Sequence, residues 1–299
     1  MKTTLLFNIL NKTIPFLFSL TFLLSACKED EIIAPVTANP APVTGSPANT
    51  PQGESPAENT PPATADPTPA PVQGKSMTFR GQYTQLLEYN VDGTLQRYTS
   101  HSNGTFIHNF EYDANKKPVK ATTNNFGNTR YFYTGEVLEK AVKYDLLDRP
   151  LKEYVFNFNS QNQLIEQHGF RVALDGSKTE FEKQVYAYDN KGNMNLMKQY
   201  YIDPATGQLV LSASFHYENF DNKQNAIPYL SEPYLPQVTL WVNNPGKRYI
   251  LSKDGNLLVG AETYGYSYNE AGRPVSRYTT VDVGGRTVSY SGTFTYTGF

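Results

Sequence analysis

Between about Phe79 and Phe299 one short pattern keeps returning: an aromatic residue, any residue, Tyr or Phe, then Asp or Asn, a cluster of turn formers and an apolar residue. It reads Phe110-Glu-Tyr112-Asp113-Ala-Asn115-Lys-Lys-Pro118-Val119 at one place and Tyr186-Ala-Tyr188-Asp189-Asn-Lys-Gly192-Asn-Met194 at another. Tyr266-Ser-Tyr268-Asn269-Glu-Ala-Gly272-Arg-Pro274-Val275, Phe156-Asn-Phe158-Asn159-Ser-Gln-Asn-Gln-Leu164 and the shorter Tyr89-Asn90-Val-Asp92-Gly93-Thr-Leu95 belong with them. Side chains alternate across a strand, so aromatics two apart share one face and want burial. Asp, Asn and Gly then accept positive φ or bond their own backbone, which turns the chain back. Each unit is thus one strand, a tight turn and the start of the next strand.

Asp175-Gly176, Asp254-Gly255, Gly284-Gly285 and Asn103-Gly104 are further hairpin signals. No stretch of a dozen residues keeps a 3.6-residue apolar period. The expected fold is therefore all-β: an antiparallel meander of short hairpins forming a curled or barrel-like sheet in water. It occupies residues 77–299, which is enough chain for one sizeable core. The 22 tyrosines and most of the 17 phenylalanines lie there.

The chain before this domain has a different character. Lys2 and Lys12 precede an apolar run from Ile14 to Leu24, too short to span a bilayer as a helix. Ser25 and Ala26 then lead into Cys27, the single cysteine. Leu24-Ser25-Ala26-Cys27 resembles the lipid box of bacterial lipoproteins; the plainer alternative is an ordinary secretory signal with an incidental cysteine. The resemblance implies that residues 1–26 are a signal peptide. It further implies that Cys27 carries a diacylglyceryl thioether and an acylated amine, an anchor worth about 0.8 kcal/mol per buried CH₂. Lys28, Glu29, Asp30 and Glu31 resemble the export signal of surface lipoproteins in Bacteroidota; as bare chemistry they are a solvated charge cluster. Together these imply a protein of the cell outer membrane, lipid-anchored and facing the outside. A lone cysteine also precludes an internal disulfide.

Residues 27–76 form the lipidated cysteine and a linker. From Ala34 to Gly74 the composition is Pro, Ala, Thr, Asn and Ser without an aromatic residue. Such a segment cannot bury enough apolar surface to offset its ordering entropy. Its prolines favour polyproline II, with a contour of roughly 120 Å at about 3.1 Å per residue.

The aromatic-turn units resemble the tyrosine-aspartate repeats of bacterial surface proteins. More closely they are similar to a family of Bacteroidota lipoproteins of unknown function described as having a porin-like fold. Phe215-His-Tyr217-Glu-Asn219-Phe-Asp221-Asn-Lys223-Gln-Asn225-Ala-Ile-Pro228 is typical of those lipoproteins. The family brings no activity and no catalytic positions. A pore would require long strands with an apolar outer belt. Phe294 and Tyr296 have the opposite parity to the terminal Phe299, and Lys, Glu, Asn and Gln occur on both strand faces. An integral barrel therefore stands as an alternative to a sheet in water.

Catalytic signatures are missing from the sequence. His101, His108, His168 and His216 form no pair at metal-ligand spacing, although His101 and His108 flank one predicted hairpin. Gly74-Lys75-Ser76 ends like a phosphate loop, but Pro69 stands where the first glycine belongs. No Gly-x-Ser-x-Gly occurs. The aspartates, among them Asp113, Asp145, Asp148, Asp189, Asp203, Asp221 and Asp254, sit in turn positions that want Asp for backbone reasons. Neither Asp189 nor Asp221 fits a calcium loop. No cofactor or metal is expected. A net charge of −2 without a basic stripe argues against nucleic acid.

Two readings follow. The first is a non-catalytic binding or envelope-structural lipoprotein, whose partners are the membrane through its lipid and a glycan or envelope protein. The second is an extracellular polysaccharide hydrolase, which needs only two carboxylates that converge in space. Residues 227–246 break the repeat rhythm and contain Tyr229, Tyr234 and the single tryptophan, Trp241. Irregular insertions on rigid scaffolds often carry binding, so these three are the candidate ligand residues. The competing expectation is that this segment plugs or caps the sheet with Trp241 buried.

Overall fold

The structure, a computed structural model, describes residues 75–102, 104–124, 126–227, 230 and 232–299. Cys27, Lys28 to Glu31 and the linker up to residue 74 lie outside the described residues, as does Tyr229.

The described chain is all-β. Its strands are β1 (Ser76–Arg80), β2 (Thr84–Tyr89), β3 (Leu95–His101), β4 (Thr105–Tyr112), β5 (Pro118–Thr123) and β6 (Gly127–Thr134). They continue with β7 (Val137–Tyr144), β8 (Pro150–Phe158), β9 (Leu164–Val172), β10 (Lys178–Tyr188) and β11 (Met194–Ile202). The remainder are β12 (Leu209–Glu218), β13 (Lys247–Ser252), β14 (Glu262–Tyr268), β15 (Pro274–Val283) and β16 (Arg286–Thr297). Each strand pairs antiparallel with the next. β1 pairs with β16, Phe79 opposite Phe294, which closes the meander into a sixteen-stranded barrel. Turns after even-numbered strands share one end with Lys75 and Phe299; turns after odd-numbered strands form the other end.

The aromatic alternation becomes the barrel lining. Met77, Phe79, Leu87, Tyr98, Phe110, Tyr131, Tyr154, Phe156, Tyr186, Phe215, Tyr217 and Phe294 are buried in a single core cluster. Full burial of side chains this size contributes about 1.5–3 kcal/mol each. Several of the inward tyrosine hydroxyls find partners, as a buried phenol prefers. Tyr112, Tyr133, Tyr188 and Tyr296 donate to the carbonyls of Leu95, Pro118, Leu164 and Pro274 at 2.7–3.0 Å. In each case the last tyrosine of an even strand bonds the first residue of the strand before it.

The Asp or Asn after the aromatic pair makes the turn. Asp113 Oδ1 accepts from the amides of Asn115 and Lys117, while Asp113 N–H donates to the Lys117 carbonyl. Lys116 takes φ of 63°. This is a type I turn closed by a left-handed residue. Asp145, Asn159, Asp189 and Asn269 build the same backbone ring, with positive φ at Asp148, Asn162, Gly192 and Gly272.

Outward residues carry charge. Arg97 pairs with Glu88, Lys120 with Glu111, and Lys183 with Glu166 across neighbouring strands. The outer face of β16 is Thr287, Ser289, Ser291, Thr293, Thr295 and Thr297.

One close approach gives a stability test. Gly127 has φ of 82°, and a Cβ there would lie 2.2 Å from the Tyr144 carbonyl oxygen. Gly135, at φ of 59°, has nothing within 4 Å of its Cβ position. Gly127→Ala is expected to destabilise the barrel by about 2 kcal/mol, and Gly135→Ala by about 1 kcal/mol. Urea unfolding of both variants checks this; equal losses would refute the carbonyl clash.

Candidate functional site

The long connection between β12 and β13 turns inward and fills the terminal end of the barrel. Its base is fixed by amide side chains. Asp221 accepts from the Asn244 amide at 3.1 Å, from the Lys223 amide at 2.9 Å and from the Tyr268 hydroxyl. Asn193 and Asn243 exchange bonds, Asn243 N–H to Asn193 Oδ1 at 2.8 Å and Asn193 Nδ2 to Asn243 Oδ1 at 3.1 Å. The Met194 amide donates to the Leu240 carbonyl at 2.7 Å, and Trp241 Nε1–H donates to the Met194 carbonyl at 3.0 Å. Trp241 thus does at β11 what a repeat tyrosine does elsewhere. Its ring packs on Tyr217, with centroids 4.9 Å apart.

The tip of the plug reaches the opposite wall. Glu232 lies between Lys143 Nζ at 2.6 Å and Lys152 Nζ at 3.7 Å. Tyr234 packs on His108 with centroids 3.9 Å apart and the rings tilted by 34°, and its carbonyl accepts from Tyr131 Oη at 2.6 Å. Burial, then the nearby Lys143, pushes the His108 pKa down to about 4, so a neutral ring receives Tyr234. Glu182 faces the same region; burial first, and then the charge of Glu232, push its pKa up to about 7. Between plug and wall a void of about 20 Å³ adjoins Gln167, whose Nε2 is buried without a partner. That is room for one water.

A cleft of about 390 Å³ remains where the plug meets the β2–β3 and β4–β5 turns. Tyr89, Tyr112 and Trp241 line it, together with the amides of Gln224, Asn225 and Gln237 and the Lys116 ammonium. Burial pushes the Tyr89 hydroxyl up to about 12, and burial followed by Asp92 raises Tyr112, so both phenols are neutral donors. None of the described residues lining the cleft is a carboxylate. It offers binding groups and no acid–base pair.

Of the three candidate ligand residues, Trp241 lines the cleft while also holding the plug. Tyr234 is committed to the plug's contact with His108 and is not a cleft residue. His101 and His108 sit on opposite faces of one hairpin, since β3 pairs Tyr98 with His108 but His101 with Thr105. No group of three metal-ligating side chains gathers among the described residues. Sequence reasoning missed Gln237, which lies in the segment it singled out, Gln224 and Asn225, which lie just before it, and Tyr89 and Tyr112, which it assigned to packing.

In structure the chain is similar to a porin-like protein from Bacteroides uniformis. Identity is 15%, the TM-score is 0.53, and the match covers 76% of this chain and 98% of that one. A second porin-like protein, from Bacteroides vulgatus, is 14% identical with a TM-score of 0.49, over 75% of this chain and 98% of that one. At these identities the first match speaks for the barrel fold and for nothing finer. No family model and no curated protein matches the sequence.

Proposed function

We propose that this chain is a lipid-anchored outer-membrane lipoprotein whose plugged barrel stands in water and binds a glycan, without catalysis, in the cleft between plug and wall. The observation that carries the reading is the lining of that cleft. Flat aromatic rings offer apolar stacking surface, and the amides around them suit the alternating donors and acceptors of a sugar. Lys183, outward at the middle of β10, supports a barrel in water: a Lys placed at a bilayer midplane would cost about 2–4 kcal/mol. Strands of five and six residues, such as β1 and β2, also fall short of the nine or so needed to cross. The lipid on Cys27 then supplies attachment.

A glycan array probed with residues 75–299 tests the binding. Gln224→Ala combined with Gln237→Ala is expected to weaken the retained glycan about tenfold with Tm unchanged, since both side chains are exposed. Trp241→Ala is expected to weaken binding about a hundredfold while also loosening the plug. An array without hits at millimolar glycan, or full affinity in the double variant, would refute the glycan cleft. Mass spectrometry of the mature protein tests the anchor, with an unacylated N-terminus as the refuting result.

A further inference from the structure

A second polar cluster lies on the lumen wall formed by β14, β15, β16, β1 and β2, away from the cleft. Arg277 points inward from β15. Its guanidinium sits over the Phe79 ring at 4.5 Å and near the Tyr264 ring at 5.5 Å. Its Nη2 donates to Tyr83 Oη at 3.4 Å and the Tyr266 hydroxyl also faces it, while its Nε is buried without an acceptor. Two residues along the same inward face, Thr279 is fully buried and its Oγ1 also lacks a partner. Gln85, across the cluster, donates from Nε2 to Tyr98 Oη at 2.8 Å and leaves Oε1 buried and unused.

The charges of this wall do not cancel. Arg248 and Glu262 neutralise one another at 2.6 Å, with the Tyr264 hydroxyl also on Glu262. The Asp221 carboxylate is taken by Asn244, Lys223 and Tyr268. Among the described residues no carboxylate reaches Arg277, which keeps an uncompensated positive charge. A guanidinium cannot shed its proton to escape this cost. Stacking on rings relieves part of the cost, but it supplies no acceptor for the Nε–H. Donors that lack acceptors, around a fixed cation, are what an oxyanion completes. A Gln85 side chain turned end for end would accept from Tyr98 and present its amide to the same space.

We propose that this wall is an oxyanion site, in which a carboxylate or sulfate group binds between the Arg277 guanidinium and the Thr279 hydroxyl. The group could arrive free in solution or as the acid of a sugar. Thermal unfolding and calorimetric titration of the barrel with sodium acetate, sodium sulfate and sodium glucuronate, against sodium chloride at equal ionic strength, test it. The expected result is a saturable rise in Tm with an oxyanion, an affinity at least tenfold weaker in Arg277→Gln, and one several-fold weaker in Thr279→Val. Tighter binding of glucuronate than of acetate would mark a sugar acid as the source; equal binding would mark the free anion. A shift that never saturates and is the same in both variants reflects general salt exclusion and overturns the site. Should Arg277→Gln fail to fold, the titration of the native protein and of Thr279→Val decides: no saturable shift in the first, or an unchanged one in the second, overturns it.

Discussion

Glu232→Gln is expected to lower the unfolding free energy of the barrel by about 3 kcal/mol at pH 7, which for a domain of this size is roughly 6–12 °C in Tm. The Glu232 carboxylate is the charge that joins the plug to the far wall. It touches Lys143 and Lys152, and the side chains of all three are at most 23% exposed. Burial opposes its ionisation, yet the two ammonium groups outweigh that and hold its pKa below the ordinary 4.5. An amide keeps the shape and removes the charge, which leaves two ammonium groups facing each other in the interior. Breaking such a pair costs more than the pair is worth intact. Replacing the lysines as well, in Lys143→Met with Lys152→Met and Glu232→Gln, is therefore expected to restore most of the loss. Hydrogen exchange adds a local readout: the Asn225 amide, bonded within the plug, and the Asn243 amide, bonded to Asn193 on the wall, should exchange faster in the single variant. A loss under 1 kcal/mol, with unchanged exchange, would show that the plug is held by its apolar contacts alone.

The same residue shows where reading the sequence reaches and where it stops. Aromatic alternation and the Asp/Asn turns are local signals, because the residues that decide them sit within a few positions of one another. Closure of the barrel is not local: β1 meets β16 across more than two hundred residues, and no pattern in either strand names the other. The break in rhythm at 227–246 was visible, but its direction was not. Whether such a segment leaves the sheet or enters it depends on what the wall offers, and the wall's offer was written in parity. Lys152 shares its strand face with Tyr154 and Phe156, and Glu262 shares its own with Tyr264, Tyr266 and Tyr268. A charge on an aromatic face predicts a buried partner. Arg277 is the same signal on β15, beside Thr279 and Val281. Tyr234 is an aromatic in an irregular loop, a criterion that does not separate a ring that meets ligand from one that meets His108. Trp241 answers to both descriptions, since its nitrogen holds the plug while its ring lines the cleft.

Glu182→Gln is expected to act in the opposite direction, stabilising the barrel by about 3 kcal/mol at pH 8 and by almost nothing at pH 4.5. Glu182 is 8% exposed. Burial, and then repulsion from Glu232, raise its pKa from 4.5 to about 7, with Lys152 compensating only in part. Because the folded value lies above the unfolded one, the native state binds more protons between pH 4.5 and 7. Stability therefore falls as pH rises through that window, by about 1.4 kcal/mol for each unit of separation. Glutamine mimics the protonated acid and removes this decline, so the variant and the native protein should unfold alike in acid and diverge towards pH 8. Urea midpoints measured across that range check it; a difference that is flat with pH, or that favours the native protein at pH 8, would place Glu182 in contact with water. The two carboxylates also couple. With Glu232→Gln in the background the repulsion is gone and Lys152 is freer to favour the Glu182 charge, so the gain from Glu182→Gln should shrink or reverse. A double-mutant cycle departing from additivity by more than about 0.5 kcal/mol would place both acids in one electrostatic unit at the tip of the plug.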